Sequence, residues 1–163
     1  MQQTLYLVRH GNASTSAESD AQRSLSPKGE KQLNRLCVAL QNLNLVTPTQ
    51  IWSSKLVRAQ QTAFLLKSGL ELDAQLVIQE NLAPEDDPST IVEAITQTTD
   101  SIMIVGHEPN LSILSSLLLS GTQNFEQIVF PTASILCLSR LTVGGDSTPW
   151  HIEWHINHRL FKT

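Results

Sequence analysis

The chain has 163 residues, with 40% hydrophobic and 16% charged residues, a composition ordinary for a soluble domain, and its length predicts one domain spanning 1–163. A formal net charge of −4 gives no general positive field for nucleic acid, and no apolar run reaches the roughly 18 residues of a membrane span. The N-terminal "MQQTLYLVRHG" lacks the basic region and long apolar run of a signal peptide, so we expect a cytoplasmic protein with no nucleic-acid or membrane partner.

Apolar runs and helical periodicities alternate along the chain. The predicted strands are Thr4–Val8, Gln50–Ser53, Leu76–Ile78, Ser101–Val105, Ser134–Leu141 and Trp150–Ile156. The predicted helices are Pro27–Leu43, Lys55–Lys67, a segment from the Asp87-Pro88 cap to about Gln97, and Pro109–Ser120. This order predicts an α/β fold: a three-layer α/β/α sandwich with a mostly parallel central sheet and an antiparallel edge ribbon around Gly144-Gly145.

Two further patterns have simple structural interpretations. Cys37 and Cys137 each lie in an apolar segment, so we expect buried free thiols rather than a disulfide. In the last predicted strand, His151, Glu153 and His155 alternate with apolar residues, which predicts one polar and one apolar strand face rather than a metal site.

Three predicted strands end in polar groups. The first ends in Arg9-His10-Gly11, the second in Ser53-Ser54 with Arg58 one turn beyond, and the third in Gly106-His107. Ligands of open α/β sheets bind beyond the carboxyl ends of the strands. We therefore expect one pocket that holds two guanidinium groups and two imidazoles.

This set of side chains suits a phosphoryl group. Arginine matches phosphate oxygens with a doubly donating fork, and a neutral imidazole can attack phosphorus. Gly11 would allow close approach of the backbone and offer an N–H. The N-terminus of the helix near Pro109 would also favour an anion.

The blocks "LVRHGNAS", "SSKLVRAQQT" and "VGHEPNL" together resemble the motifs of the histidine phosphatase superfamily, in the family's order and at similar spacing. The short chain, "RSLSPKGEKQ" and "FPTASI" resemble the SixA-type phosphohistidine phosphatase branch. The resemblance implies that His10 is the nucleophile, that Arg9 and Arg58 clamp the phosphoryl oxygens, and that His107 stabilises the transferring group. We expect no cofactor. "HEPNL" begins like a zinc-protease motif, but Leu111 replaces the second histidine, so no metal is expected.

Other residues are weaker candidates for the same site. Arg23 would add a cation at the pocket rim, and Ser14 and Ser54 would supply further hydrogen bonds to phosphate or to its ligands. Many relatives that cleave esters carry a glutamate as general acid, but "QENLAPEDDPST" matches no such motif. That segment holds Glu80, Glu85, Asp86 and Asp87, and Asp20, in the loop after Arg9-His10-Gly11, is another candidate proton donor.

The lack of a recognisable general-acid motif favours some substrates over others. An alkoxide leaves poorly without a proton donor, whereas the conjugate acid of imidazole has a pKa of about 6.5. We therefore expect a metal-independent phosphatase, monomeric and with an open pocket, whose partner is a protein that carries phosphohistidine. A small-molecule phosphomonoesterase and an inactive phosphoprotein-binding module are the alternatives.

Overall fold

The computed structural model describes residues 1–124 and 127–162. Its strands are β1 (Gln2–Arg9), β2 (Gln50–Ser53), β3 (Gln75–Ile78), β4 (Ile102–Gly106), β5 (Ser134–Val143), β6 (Asp146–Ser147) and β7 (His151–Asn157). Its α-helices are α1 (Pro27–Leu40), α2 (Val57–Gly69), α3 (Ser89–Thr96) and α4 (Asn110–Ser120), and short 3₁₀ helices lie at Asp20–Gln22 and His158–Phe161.

The strands form one sheet in the order β3-β2-β4-β1-β5, with β7 beside β5 and β6 paired to the end of β5. The β3-β2-β4-β1 pairs are parallel, because helices return the chain between them, whereas β5 is antiparallel to both β1 and β7. The predicted mostly parallel sheet with an antiparallel edge is therefore confirmed.

Each face of the sheet has its own apolar core. In β1, Tyr6 and Val8 pack in one cluster and Leu5 and Leu7 in the other, as the two-residue period of a strand requires. Helices α1 and α2 add side chains to the first cluster, and α3 and α4 to the second. The three predicted layers are thus confirmed. In the described ranges, no helix is long and apolar enough to cross a membrane.

Some local expectations need correction. Helix α1 ends at Leu40, three residues before the predicted end. The register of β7 on β5 shifts between Cys137 and Leu138, so the predicted alternation is interrupted: Trp150 packs in one core cluster and Trp154 in the other. A β-bulge inserts one extra residue into the strand, so side chains before and after it no longer follow one period-2 pattern. Cys37 and Cys137 are both free and buried, as expected.

The loop that follows β1 is fixed to the start of α1. Ser26 caps α1 by accepting a hydrogen bond from Gly29 N at 3.1 Å, and its Oγ also donates to Asn12 Oδ1 at 2.7 Å. Asn12 N donates to Gln32 Oε1 at 2.9 Å. A Cβ on Gly29 would lie 2.1 Å from the Asn12 carbonyl oxygen. Asn12, two residues beyond His10, can therefore lie this close to α1 only because residue 29 is a glycine.

Substitution of Gly29→Ala tests this contact. Alanine normally stabilises an exposed helix position by up to about 1 kcal/mol relative to glycine, but here the clash with backbone should destabilise the fold by about 1–3 kcal/mol. Urea unfolding of the variant and of Glu30→Ala, on the exposed neighbour, measures the difference. Equal or higher stability of Gly29→Ala would contradict the packing described.

Candidate active site

The carboxyl ends of β1, β2 and β4 meet at one point. His10 N donates to Gly106 O at 3.2 Å, and Ser54 N donates to Val105 O at 3.0 Å. The ring centroids of His10 and His107 lie 4.9 Å apart. The structure therefore brings together the three strand ends that the sequence singled out.

The hydrogen bonds of His10 define its tautomer. Nδ1 lies 2.6 Å from Gly11 O, and a carbonyl can only accept, so Nδ1 carries the proton. The lone pair is then on Nε2, which accepts a hydrogen bond from Arg58 Nε at 3.3 Å. The ring is 8% exposed, so the site is more closed than the short chain predicts. His10 therefore presents a buried, unprotonated nitrogen to a guanidinium group.

Both imidazoles are held neutral. Burial lowers the pKa of His10 to about 4, with Arg58, Arg9 and Arg23 adding to the shift and the Gly11 hydrogen bond opposing it. Burial also lowers the pKa of His107 to about 3, assisted by His10 and Arg58. A neutral imidazole keeps the lone pair that nucleophilic attack requires.

His107 is oriented by Ser54. Its Nε2 lies 2.8 Å from Ser54 Oγ, and this hydroxyl also accepts from Leu56 N at 3.3 Å. Both side chains are buried, and His107 Nδ1 has no hydrogen-bond partner within the described residues. A buried polar atom without a partner costs free energy, so Nδ1 is available for a ligand.

Two arginines complete the centre. Arg9 Nη1 donates to Phe130 O at 2.7 Å, while its Nε is buried without a partner among residues 1–124 and 127–162. Arg58 is 4% exposed, and its Nη1 and Nη2 donate to Asp20 O at 2.8 Å and Asp20 Oδ2 at 3.2 Å. Arg9 and Arg58 thus bring two guanidinium groups to the ends of the strands.

Asp20, Arg23 and Ser14 form the rim. Arg23 donates to Asp20 Oδ1 at 3.1 Å and to Ser14 O at 2.7 Å. Hydrogen bonds from Arg23 and Arg58 lower the pKa of the Asp20 carboxyl. An ionised carboxylate has no proton to give, so this geometry favours an ion-pair role for Asp20 over that of proton donor. The Ser14 hydroxyl accepts from Ser16 N and contacts none of the central four side chains through a hydrogen bond in the described ranges.

Two expected anion donors are already engaged. Gly11 N donates to Thr62 Oγ1 at 3.2 Å, and a Cβ at Gly11 would lie 3.0 Å from Gly29 O, so this glycine serves packing against α1. At the start of α4, Glu108 Oε1 accepts from Ser112 N at 3.0 Å. The carboxylate therefore occupies the helix N-terminus that was expected to attract phosphate.

Thr62 and Glu108 are residues that sequence reasoning missed. Thr62 Oγ1 donates to Arg58 O at 2.7 Å while accepting from Gly11 N, so it joins β1 to α2. Glu108 raises the pKa of Arg9 and opposes the effect of burial on that group. The sequence could have indicated them, because Thr62 lies in the block "RAQQT" and Glu108 in the block "HEPNL".

Of the four acidic residues in "QENLAPEDDPST", Glu85 is exposed, and the other three are bound outside this centre. Glu80 pairs with Lys55 at 3.6 Å on the surface. Asp86 accepts from Ala83 N, and Asp87 accepts from Ser89 N, within their own loop. In the described part of the chain, no group of three metal-ligating side chains lies together.

Comparison with known proteins finds the same fold in solved structures. Residues 5–83, just under half of the chain, match the family model of the histidine phosphatase superfamily, branch 1. The protein histidine phosphatase SixA, solved with tungstate, superposes with a TM-score of 0.82 at 21% identity, covering 98% of this chain and 99% of that one. SixA from Agrobacterium tumefaciens gives 0.76 at 21% identity, with 94% and 97% covered.

A mycobacterial glucosyl-3-phosphoglycerate phosphatase has the same fold, with a TM-score of 0.68 at 19% identity, covering 94% of this chain and 98% of that one. No curated protein sequence matches the chain. The matched segment makes residues 5–83 similar to the histidine phosphatase superfamily, and the whole chain shares its fold with the solved structures named above.

The low pKa values predict how the free protein titrates. Ring NMR signals of His10 should remain those of the neutral Nδ1–H tautomer until the pH approaches about 4. The unfolded chain binds more protons between about pH 4 and pH 6.5, so unfolding free energy should fall as pH is lowered through this window. Titration of His10 in the folded protein near the pKa of the urea-unfolded chain would contradict this environment.

The Ser54 hydroxyl predicts a selective loss of activity. Ser54→Ala removes the partner of His107 Nε2 and should lower kcat with an aryl phosphate by about tenfold or more. Ser53→Ala is the matched control, because Ser53 is equally buried but donates to Ser54 O. Equal losses of activity in the two variants, at equal melting temperatures, would show that the hydroxyl of Ser54 has no special role.

Proposed function

We propose that the protein hydrolyses phosphohistidine on a protein partner, through a phosphohistidine intermediate on His10. The observation that supports this most is the fixed tautomer of His10: Nδ1–H bonds Gly11 O, and the Nε2 lone pair faces Arg58 in a neutral ring. Binding alone does not require a free nucleophile, which argues against an inactive phosphoprotein-binding module.

In the proposed first step, His10 Nε2 attacks phosphorus and the bond from phosphorus to the substrate nitrogen breaks. The substrate ring carries a proton on its other nitrogen, so the electron pair of that bond goes to the substrate imidazole, which leaves as neutral histidine. In the second step water attacks phosphorus, the bond to Nε2 breaks, and inorganic phosphate leaves. Neutral His10 is then restored with its proton on Nδ1.

The arginines and His107 would stabilise the transferred group. Transfer of a phosphoryl group depends mainly on positioning and on compensation of negative charge. The unpartnered Arg9 Nε and His107 Nδ1 are buried donors that equatorial oxygens could accept from. For His107 this requires the tautomer in which Ser54 Oγ–H donates to Nε2, leaving a proton on Nδ1.

Asp20 controls access to this centre in the proposed mechanism. The Asp20 carboxylate accepts a hydrogen bond from Nη2 of Arg58. Because the Asp20 side chain is 61% exposed, it can move without disrupting the core. A phosphoryl group would replace it on Arg58. Since His10 is only 8% exposed, the proposal requires that Asp20 leaves Arg58 when the protein substrate enters.

The arrangement of carboxylates supports phosphohistidine over a phosphate ester. Asp20 is bound to two arginines, Asp86 and Asp87 are bound within their own loop, and Glu80 pairs with Lys55 on the surface. An imidazole leaves without a dedicated acid far more readily than an alkoxide does. This chain shares its fold with a glucosyl-3-phosphoglycerate phosphatase, so a small-molecule phosphomonoesterase is the second candidate.

We also propose that the protein is a cytoplasmic monomer. Its two free cysteines suit a reducing compartment.

The test uses a phosphohistidine peptide, prepared with phosphoramidate, beside p-nitrophenyl phosphate. Wild type should release phosphate from the peptide with a kcat/KM about 100-fold or more above that for the aryl ester, and His10→Ala should lose about 1000-fold on both. His151→Ala, on the exposed β7 position, is the matched control and should keep full activity. Turnover of the ester alone would overturn the proposed substrate, and equal rates in His10→Ala would overturn the mechanism.

A further inference from the structure

A cleft of about 610 Å³ lies beside the candidate active site and concentrates positive charge. Five of the eleven lysines and arginines of this acidic chain line it: Lys28, Lys31, Arg35, Arg159 and Lys162. We call this surface the basic cleft. No aspartate or glutamate is among its described lining residues. Such a local excess of one charge is unusual on a chain whose net charge is −4.

The basic cleft is continuous with the loops that hold His10. Asn12, which also lines it, follows His10 by two residues. Thr132 lines it from the other side, and the next residue, Ala133, donates its N–H to His10 O at 3.0 Å. His158 N donates to Ala133 O at 3.2 Å, which places the C-terminal 3₁₀ helix against the same loop.

The cleft cations come from two elements that converge. Lys28, Lys31 and Arg35 lie at spacings of three and four along α1 and therefore share one helix face. Arg159 and Lys162 come from the C-terminal end of the described chain. The ion pairs formed by described residues use Arg23, Lys55 and Arg58, and none uses a cation of the cleft. These like charges repel one another and have no carboxylate partner among the described residues, so an anionic partner would relieve the repulsion.

His158 holds one of these cations in place. Arg35 Nη1 donates to His158 Nδ1 at 3.1 Å, and the imidazole is buried. Burial lowers the pKa of His158, and Arg35, Arg159, Lys28 and Lys162 lower it further. A neutral ring can accept from Arg35, so the guanidinium is fixed without losing its charge.

We propose that the basic cleft binds a carboxylate-rich segment of the phosphoprotein, next to the phosphohistidine that enters the site. This inference rests on the proposed function. Charge complementarity supports an acidic partner, and the position of the cleft against the His10 loops supports a segment of the substrate itself. A nucleic acid fits less well, because the cleft has no Phe, Tyr or Trp among its described lining residues on which bases could stack.

The experiment compares two peptides of equal length, each with one phosphohistidine, flanked by glutamates in one and by glutamines in the other. For wild type, kcat/KM should be about fivefold or more higher for the glutamate peptide at low salt, and raising salt should abolish the preference. The double variant Lys31→Gln/Arg159→Gln should bring the ratio of the two kcat/KM values close to one.

Lys67→Gln is the matched control. Lys67 lies at the end of α2 and donates to Ala74 O, next to the start of β3, so it is at the opposite end of the parallel strands from His10. The ratio should stay at the wild-type value in this variant. Equal turnover of both peptides by wild type, or an unchanged ratio in the double variant, would overturn the proposal. An equal fall of the ratio in Lys67→Gln would do so too, since only net charge would then matter.

A binding measurement separates this proposal from the proposed function. If wild type turns over neither peptide, the proposed function fails. Fluorescence anisotropy with the unphosphorylated peptides then decides the inference: wild type should bind the glutamate peptide more tightly than the glutamine peptide, and the double variant should not. Equal binding of the two peptides, or tighter binding of a single-stranded oligonucleotide of matched charge, would overturn it.

Discussion

The hydrogen bond from His10 Nδ1 to Gly11 O, at 2.6 Å, determines what the candidate site can do. Because the acceptor is a carbonyl, the proton is fixed on Nδ1 and the lone pair on Nε2. The other side chains act around that lone pair: Arg58 Nε donates to it, and the ring of His107 lies with its centroid 4.9 Å from that of His10. Without this bond, the ring could turn or change tautomer, and the two guanidiniums would surround a nitrogen that cannot attack.

The fold maintains this geometry at a cost in electrostatic free energy. The buried Arg58, the half-buried Arg9 and two imidazoles lie at the ends of three strands, and the arginines would repel a charged histidine. Neutral rings remove part of that cost, and Asp20 and Glu108 supply negative charge near Arg58 and Arg9. Gly29 and Thr62 connect the His10 loop to α1 and the adjoining β1 to α2. Packing and backbone hydrogen bonds therefore hold the positive groups of the site together, while neutral imidazoles and nearby carboxylates reduce their repulsion.

Much of this arrangement could be predicted from the sequence. Alternating apolar runs and helical periodicities predicted the layers, and the polar residues at three strand ends predicted that Arg9, His10, Arg58 and His107 meet. The sequence did not show that Gly11 N–H is taken by Thr62, that Glu108 covers the start of α4, or that a bulge moves Trp150 to the other core. These features are bonds from side chains to backbone and a local register shift, and neither leaves a periodic pattern in the sequence.

A crystal structure with bound orthovanadate offers the sharpest test, because vanadium takes the place of phosphorus during transfer. The geometry described here predicts a bond from vanadium to His10 Nε2, with vanadate oxygens accepting from Arg9, Arg58 and His107 Nδ1, and the His10–Gly11 hydrogen bond retained. Vanadate on Nδ1 of His10 would contradict the fixed tautomer, and vanadate bound in the basic cleft with His10 untouched would contradict the assignment of His10 as nucleophile.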